Sequence, residues 1–273
     1  MGRVTVRRKT TRLNGAGRTE RIDTLAVEEP LELRVGGESL QVTMRTPGDD
    51  FDLAAGFLLS EGVVTKAGDL FSMRYCAGVD ENGEQTYNLL DLVLAPGVEA
   101  PQQSAKRNFT VTSACGICGK DSLADVRTKA AWELTGDATT VQADVLASLP
   151  ERLRKTQKVF DKTGGLHAAG LFTAEGELLT AKEDVGRHNA VDKVIGWALR
   201  QDLIPLRGMV LAVSGRASFE LVQKAVMAGI PVLAAVSAPS SLAADLADES
   251  GLTLAGFVRG GASNLYSHPD RIV

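Results

Sequence analysis

Sulfur and aromatic side chains are both scarce in this sequence. Three cysteines occur in 273 residues, and aromatic residues make up 5% of the chain. Three cysteines are too few for the disulfide framework that holds small secreted domains together. No uninterrupted apolar run approaches the ~18 residues that a membrane-spanning helix needs. We therefore expect an ordinary hydrophobic core, no membrane segment and thiols that stay reduced.

The charge balance is equally unremarkable, with a formal net charge of −4. A chain without excess positive charge is not expected to bind nucleic acid over its whole surface. The basic N-terminus contains Arg7 and Arg8, a pair that also occurs in twin-arginine export signals. No apolar segment follows that pair, so we expect no export signal and predict a cytoplasmic location.

The composition is that of a globular protein, with 44% hydrophobic and 23% charged residues. This length accommodates one large domain or two smaller ones, each with its own core. We predict a flexible basic arm over residues 1–20 and a smaller, mostly β part with some helix over 21–140. An α/β cofactor-binding domain is predicted over 141–273.

Turn residues punctuate the N-terminal half. Alternating apolar residues on either side of Gly36 and Gly37 predict a β-hairpin, and a short helix is expected between Asp50 and Glu61. A second hairpin is predicted around residues 82–83, where asparagine precedes glycine. The smaller part is therefore expected to contain two hairpins around one helix.

Strands and helices alternate in the C-terminal half. After a hairpin over 167–181 and a helix from Ala190 onward, apolar runs predict three further strands with two helices between them. Such alternation indicates an α/β fold with a parallel sheet and right-handed crossovers. The strands are expected at 208–213, 231–236 and 252–258, and the helices at 217–228 and 240–248.

The loops after these three strands contain small residues and arginines. They cover residues 214–216, 237–240 and 259–262, and they include Ser214, Arg216 and Arg259. Parallel strands place such loops at one edge of the sheet, where helix N-termini also offer free N–H groups to anions. Each loop alone fits an ordinary tight turn with a surface arginine. Three converging loops favour an anionic ligand, although none has the glycine spacing of a Walker or dinucleotide motif.

Two cysteines lie three positions apart in one glycine-containing loop. Cys115 and Cys118 are flanked by Gly116 and Gly119, and Lys120 follows directly. A helix is predicted to begin just after this loop. Helix N–H groups and a lysine favour thiolate over thiol, so this pair is the most reactive sulfur in the chain.

Several roles compete for this pair. A structural zinc site needs four ligands and no second Cys-x-x-Cys exists, so we predict no metal site. The zinc-deaminase signature is also absent, because His167 is not followed by the required glutamate. A redox dithiol and a persulfide carrier both fit the residues. Cys76 lies in a predicted strand and is expected to act as a small buried hydrophobe.

His188 also fits two roles. It follows Arg187 at the start of a predicted helix, which Asp184 is expected to cap. The histidine could serve as an anion donor or general acid, or it could simply pack at the helix start. From the strand-end loops and this segment we predict an anion pocket that contains Arg216 and Arg259, together with Arg187, His188 and Ser214.

Segments along most of the chain resemble the formate dehydrogenase accessory sulfurtransferase family. The likeness runs from about residue 20 to the C-terminus and is carried by residues 45–50, 55–58, 61–62, 113–119, 165–169, 183–193 and 214–216. It implies a two-part α/β protein. The larger part would be a three-layer α/β domain similar to the cytidine-deaminase-like fold, without zinc chemistry.

The resemblance also implies a function. Members of that family take persulfide sulfur from a cysteine desulfurase and transfer it to the molybdenum or tungsten bis-guanine-dinucleotide cofactor that formate dehydrogenase requires. By this likeness Cys115 carries the persulfide, and Cys118 assists its relay or release. The cofactor, Mo-bis(molybdopterin guanine dinucleotide), would be a bound substrate, and a guanine nucleotide such as GDP would mimic it.

The same likeness assigns the cofactor segment and the assembly. The segment comprises Phe257, Val258, Arg259, Gly260, Gly261 and Ala262. Family membership implies a cytoplasmic homodimer with a cysteine desulfurase and formate dehydrogenase as partners. The alternative function is a non-catalytic chaperone that only holds the molybdenum cofactor for formate dehydrogenase.

Overall fold

The structure is a computed structural model that describes residues 3–15, 17–76, 78, 86–100 and 130–273. Within these residues the strands form sheets of two, four and six strands. Helices are interspersed between them along the chain, so the predicted α/β class is confirmed. No helix in these ranges is long and apolar enough to cross a membrane.

The N-terminal arm forms a hairpin of two long strands. Strand β1 (Thr5–Asn14) pairs with β2 (Gly17–Ala26) in antiparallel register over its whole length. Paired strands therefore cover most of the arm that was predicted over residues 1–20, and its flexibility stays a prediction. The charged residues that suggested disorder are paired across the hairpin, for example Arg8 opposite Asp23.

The four-stranded sheet contains both predicted hairpins. Its strands are β3 (Glu29–Val35), β4 (Glu38–Arg45), β5 (Leu70–Tyr75) and β6 (Leu89–Leu94), in the order β4-β3-β6-β5. The turn between β3 and β4 uses Gly36 and Gly37, both with positive φ, as a tight hairpin requires. Strands β5 and β6 pair antiparallel as predicted, and their turn at 82–83 lies outside the described residues.

The six-stranded sheet forms the centre of the C-terminal half. Its order is β12-β11-β10-β9-β7-β8, and β9, β10 and β11 are parallel, as predicted. Edge strand β12 was not predicted, because its residues are exposed and do not alternate in polarity. Pairing with β11 makes it a strand. The bounds are β7 (His167–Thr173), β8 (Leu178–Asp184), β9 (Met209–Val213), β10 (Val232–Ala235), β11 (Thr253–Arg259) and β12 (Ala262–Ser267).

Helices cover both faces of this sheet. One face packs against α2, through Leu146, Leu149 and Leu153. The other face packs against α4, α5 and α6, which gives three layers. The more specific likeness to the cytidine-deaminase fold stays a prediction. The helices are α1 (Asp50–Ser60), α2 (Ala143–Arg154), α3 (Lys158–Thr163), α4 (Arg187–Arg200), α5 (Phe219–Met227) and α6 (Ser241–Glu249).

One hydrophobic core joins the N-terminal part to the C-terminal half. Leu31 and Leu90 of the four-stranded sheet belong to the same buried cluster as Leu58 of α1 and Val194 of α4. Residues on both sides of the predicted boundary at 140–141 therefore share this core. The boundary itself stays a prediction.

Two glycines allow α1 and α4 to approach each other closely. A Cβ atom at Gly56 would overlap the carbonyl oxygen of Asp192, and one at Gly196 would overlap that of Asp52. Because backbone atoms cannot move aside as a flexible side chain can, only glycine fits at these two positions. The contact fixes how the N-terminal part docks on the larger sheet.

Replacing Gly196 by alanine should therefore destabilise the protein strongly. We expect Gly196→Ala to lower the free energy of unfolding by about 3 kcal/mol or more, because the added methyl group collides with backbone. Urea unfolding followed by circular dichroism measures this change. Gly68→Ala is the matched control, since a Cβ there meets nothing within 4 Å. Equal stability of the two variants would show that the helices do not touch at Gly196.

Candidate functional site

The predicted catalytic pair lies outside the described residues. Cys115 and Cys118 both fall in the stretch 101–129, for which the structure gives no account. Their proposed roles therefore stay predictions. The third cysteine, Cys76, follows β5 and is a free, half-buried thiol.

The strand-end loops meet at one edge of the six-stranded sheet, as predicted. Strand β7 runs antiparallel to β9, so it begins where β9 ends. The Ala168 N–H donates to Ser214 Oγ at 2.9 Å, and the Ser214 N–H donates to the Ala168 carbonyl at 2.9 Å. His167 lies beside Gly215, so this edge also contains a histidine.

Backbone hydrogen bonds connect the first two loops to each other and the second loop to strand β11. The Ser237 N–H donates to the Gly215 carbonyl at 3.3 Å, and the Phe257 N–H donates to the Ser237 carbonyl at 3.2 Å. An isolated bridge joins Ala217 to Pro239. The loops after β9 and β10 and the end of β11 therefore lie side by side.

The start of α4 brings Arg187 and His188 to the same edge. Among the described residues, Arg187 Nε is one of the few buried side-chain nitrogen or oxygen atoms without a hydrogen-bond partner. His188 Nε2 lies 3.3 Å from Ser218 Oγ and 3.7 Å from a carboxylate oxygen of Glu220. Because both groups contact the same ring nitrogen, they do not form a serine–histidine–acid relay, which uses both nitrogens.

Asp184 does not cap α4, contrary to the expectation from sequence. The N-cap is Gly186, and its N–H donates to Asp184 Oδ1 at 2.8 Å. The other carboxylate oxygen accepts the Thr46 N–H at 3.1 Å and lies 2.7 Å from Lys193 Nζ. Asp184 is wholly buried, so it anchors the loop before α4 to the end of β4.

Charges around His167 and Glu220 shift their pKa values in definite directions. Burial, followed by the charges of Arg187 and His188, lowers the pKa of His167 below its ordinary value of 6.5, and Asp184 opposes this only partly. The interaction with His188 is the main reason that the pKa of Glu220 falls to about 2. At neutral pH His167 is therefore neutral and Glu220 is ionised.

The predicted cofactor segment forms the turn between β11 and β12. Phe257 adopts a left-handed backbone with φ of 53°, and Gly260 and Gly261 also have positive φ. The Arg259 guanidinium is exposed, with its carbon 5.9 Å from the centre of the Phe257 ring. Val258 is fully buried in the core, so it offers a ligand only its backbone.

The remaining predicted residues are accessible to differing degrees. Arg216 and Ala262 are exposed, whereas Ser214 is half-buried and its hydroxyl already accepts the Ala168 N–H. Sequence reasoning did not place Ser218 and Glu220 in the site. The signal for Ser218 is its position as the N-cap of α5, directly after the predicted loop.

Comparisons with known proteins agree with this architecture. A model described as the FdhD/NarQ family matches residues 26–273. A protein of Nocardia farcinica named sulfur carrier protein FdhD is 60% identical, covering 99% of this chain and 96% of that protein. A protein of Streptomyces avermitilis with the same name is also 60% identical, covering 100% of this chain and 97% of that protein.

One solved structure resembles the whole chain. It is the crystal structure described as that of a formate dehydrogenase accessory protein from Desulfotalea psychrophila, with a TM-score of 0.77 and 24% sequence identity. The likeness covers 99% of this chain and 100% of that chain. At this identity the likeness shows the fold alone.

The lowered pKa of His167 predicts a pH-dependent stability. Between the folded pKa and 6.5 the unfolded chain binds more protons, so the folded protein loses stability as the pH falls below 6.5. His167→Gln should flatten this dependence, measured as the free energy of unfolding in urea between roughly pH 7.5 and 5.5.

The control variant is His268→Gln, since His268 follows β12 at the opposite edge of the sheet. The slope of His167→Gln is compared with the slopes of this variant and of the wild type. An unchanged slope in His167→Gln would contradict the electrostatic description of the strand-end site.

Proposed function

This chain belongs to the FdhD/NarQ family, and we propose that it carries sulfur for a formate dehydrogenase. The finer steps of the proposal are that it accepts persulfide sulfur from a cysteine desulfurase and gives it to the molybdenum or tungsten bis-guanine-dinucleotide cofactor. That cofactor is its bound substrate. We further propose that it works in the cytoplasm as a homodimer.

The observation that supports this most is the group of donors at the strand-end edge. Arg187 offers a buried Nε without a partner among the described residues, and Arg216 and Arg259 are exposed at the same edge. Helices α4 and α5 both begin there. Guanidinium groups and helix N-termini are the groups that bind pyrophosphate in proteins. A guanine dinucleotide has such a pyrophosphate.

The chemistry assigned to the cysteines balances without an added oxidant. The Cys115 thiolate attacks the outer sulfur of the desulfurase persulfide. The sulfur–sulfur bond there breaks, and the electron pair leaves with the desulfurase thiolate. Cys118 then attacks the inner sulfur of the Cys115 persulfide. A disulfide forms between Cys115 and Cys118, and hydrosulfide leaves for the metal.

The second step reduces the transferred sulfur while the two cysteines are oxidised. The electrons for hydrosulfide therefore come from the pair itself, and a dithiol reductant regenerates both thiols. Because the two cysteines act in different steps, replacing either one should have a different effect. Cys115→Ala cannot load sulfur, whereas Cys118→Ala loads it and releases it slowly.

Sulfur loading can be measured by intact-protein mass spectrometry. After incubation with a cysteine desulfurase and cysteine, the wild type and Cys118→Ala should gain the mass of one sulfur atom, and Cys115→Ala should not. Cys76→Ala, which alters the remaining cysteine, should load normally. Loading of Cys115→Ala to the wild-type level would overturn the assignment.

A separate measurement distinguishes the sulfur carrier from a chaperone that only holds the cofactor. A Cys115→Ala, Cys118→Ala double variant should fail to activate formate dehydrogenase in cells that lack the wild-type protein. Full activation by this variant would favour the chaperone.

Ligand binding at the strand-end edge is tested with GDP. Arg187→Gln should bind GDP about tenfold more weakly, because it loses a charge-assisted contact to phosphate. Arg74→Gln removes an arginine whose side chain is 73% exposed on β5, and it should bind normally. Calorimetry gives both affinities. Equal binding by the two variants would show that the nucleotide lies elsewhere.

A further inference from the structure

A separate cavity lies beside the turn that follows β4. Its volume is about 240 Å³, and it is bounded by that turn, the first turn of α1, the end of β5 and the last residue of α4. It includes residues from 45–50, a segment that the sequence analysis singled out and to which the proposed function gives no role. The inference below does not depend on that function.

The buried donors in this cavity are already engaged. The Arg45 side chain is 1% exposed, and its Nε and Nη2 donate to the two Asp50 oxygens at 3.0 and 2.9 Å. It also donates to the Glu29 carboxylate at 3.4 Å, the Asn88 side chain at 3.1 Å and the Tyr87 carbonyl at 3.3 Å. The Tyr75 hydroxyl also donates to Asp50, at 3.0 Å. Arg45 and Tyr75 are therefore not available to an incoming anion.

The groups that remain accessible are acceptors. The Asp49 side chain is 49% exposed and that of Glu29 is 37% exposed. Lys182 Nζ contacts one Asp49 oxygen at 2.8 Å, which leaves the second oxygen for a ligand. The lining residues include four carboxylates and two guanidinium groups, and the Lys182 ammonium pairs with two of these carboxylates. The carboxylates therefore exceed the cationic side chains that contact them by one.

Aromatic rings also line this cavity. The Phe51 and Tyr75 ring centres are 5.1 Å apart, and Tyr87 meets Tyr75 edge-to-face at 5.3 Å. Tyr87 is the exposed member of the three and lines the cavity, whereas the Arg200 guanidinium already lies over the Phe51 ring, 5.8 Å from its centre. An aromatic face attracts cations through its quadrupole. Both the carboxylates and the aromatic rings therefore favour a cationic ligand.

We propose that this cavity binds an organic cation with a guanidinium or primary ammonium group. Asp49 and Glu29 accept its N–H donors, and the Tyr87 ring contacts its charged face. The cavity is smaller than the ~300–1,000 Å³ typical of sites for drug-sized ligands, so it suits one group of side-chain size. Such a group belongs to a free amine or to an arginine or lysine of a partner protein.

Asp49→Asn is the sharpest test of this site. Asp49 has a left-handed backbone with φ of 56°, a conformation that asparagine tolerates well, and Lys182 keeps its second partner, Asp52. The variant should therefore fold normally. Asp202→Asn is the matched control, because Asp202 has φ of 58° and the same charge but does not line the cavity.

The probes are agmatine and a short peptide with one central arginine, titrated into the full chain by calorimetry. Asp49→Asn should bind about tenfold more weakly than the wild type, and Asp202→Asn should bind equally well. Tyr87→Leu should also bind several-fold more weakly, whereas Phe71→Leu, at a residue 74% exposed outside the cavity, should not.

Each outcome decides the proposal. Binding of agmatine identifies a free amine as a sufficient ligand, and binding of the peptide alone identifies a partner's side chain, so both support the site. If the wild type binds neither probe, the proposal is wrong. It is equally wrong if Asp49→Asn keeps wild-type affinity, or if Asp202→Asn loses as much affinity as Asp49→Asn.

Discussion

A buried ion pair between Asp184 and Lys193 holds the N-terminal part against the C-terminal half, because both partners also bond to the backbone of Thr46. The two side chains are 0% and 2% exposed, and Lys193 Nζ lies 2.7 Å from Asp184 Oδ2. Removing two charges from water is costly, and the cost is offset only when further hydrogen bonds complete the site. Here the backbone N–H groups of Thr46 and Gly186 donate to the carboxylate, and so does the Asn189 side chain. Removing one partner of such a pair typically costs about 3–5 kcal/mol.

Helix α4 makes further contacts between the two parts of the chain. Asp192, next to Lys193, accepts two hydrogen bonds from Lys224 of α5, at 2.8 and 2.9 Å. It also accepts one from Ser60 at the end of α1, at 2.9 Å. Together with the close approach at Gly196, these contacts make α4 the element on which the N-terminal part docks. The short loop between Asp184 and α4 is consequently fixed at one end by Asp184 and at the other by the packing of α4.

Local sequence patterns predicted the central elements because burial determines those patterns. The parallel strands are buried on both faces and therefore appear as apolar runs, and glycines mark the hairpin between β3 and β4. Convergence of the strand-end loops then follows from topology alone. For this reason the sequence could predict that Ser214, Ser237 and the end of β11 lie at the same edge of the sheet.

Other features depend on contacts between distant residues, which periodicity does not report. Thr46 binds Asp184 across 138 positions, so the sequence suggested only a local helix cap. The N-terminal hairpin and β12 are polar and exposed, and their strands exist because a partner strand lies beside them. The roles of Cys115 and Cys118 rest on their spacing and the family resemblance, since the described residues do not include them.

Strand β8 shows how one edge strand can organise two sites. Side chains alternate across a strand, so Lys182 and Asp184 point to one face and Glu183 to the other. Lys182 binds Asp49 and Asp52 beside the cavity, while Asp184 fixes the loop that leads to Arg187. Glu183 accepts the N–H groups of Val159 and Phe160 at the start of α3, at 2.9 and 2.8 Å.

These inward-directed charges have a consequence for the anion site. An unpaired carboxylate next to Arg187 would repel a phosphate, but the charge of Asp184 is balanced by Lys193 and by hydrogen bonds on both oxygens. Charged residues that point inward also make an edge strand a poor template for pairing with another chain. The alternation of side chains along β8 therefore has two effects. It places a neutralised Asp184 beside Arg187 and Lys182 beside the carboxylates of the cavity, and it keeps β8 from pairing with a strand of another chain.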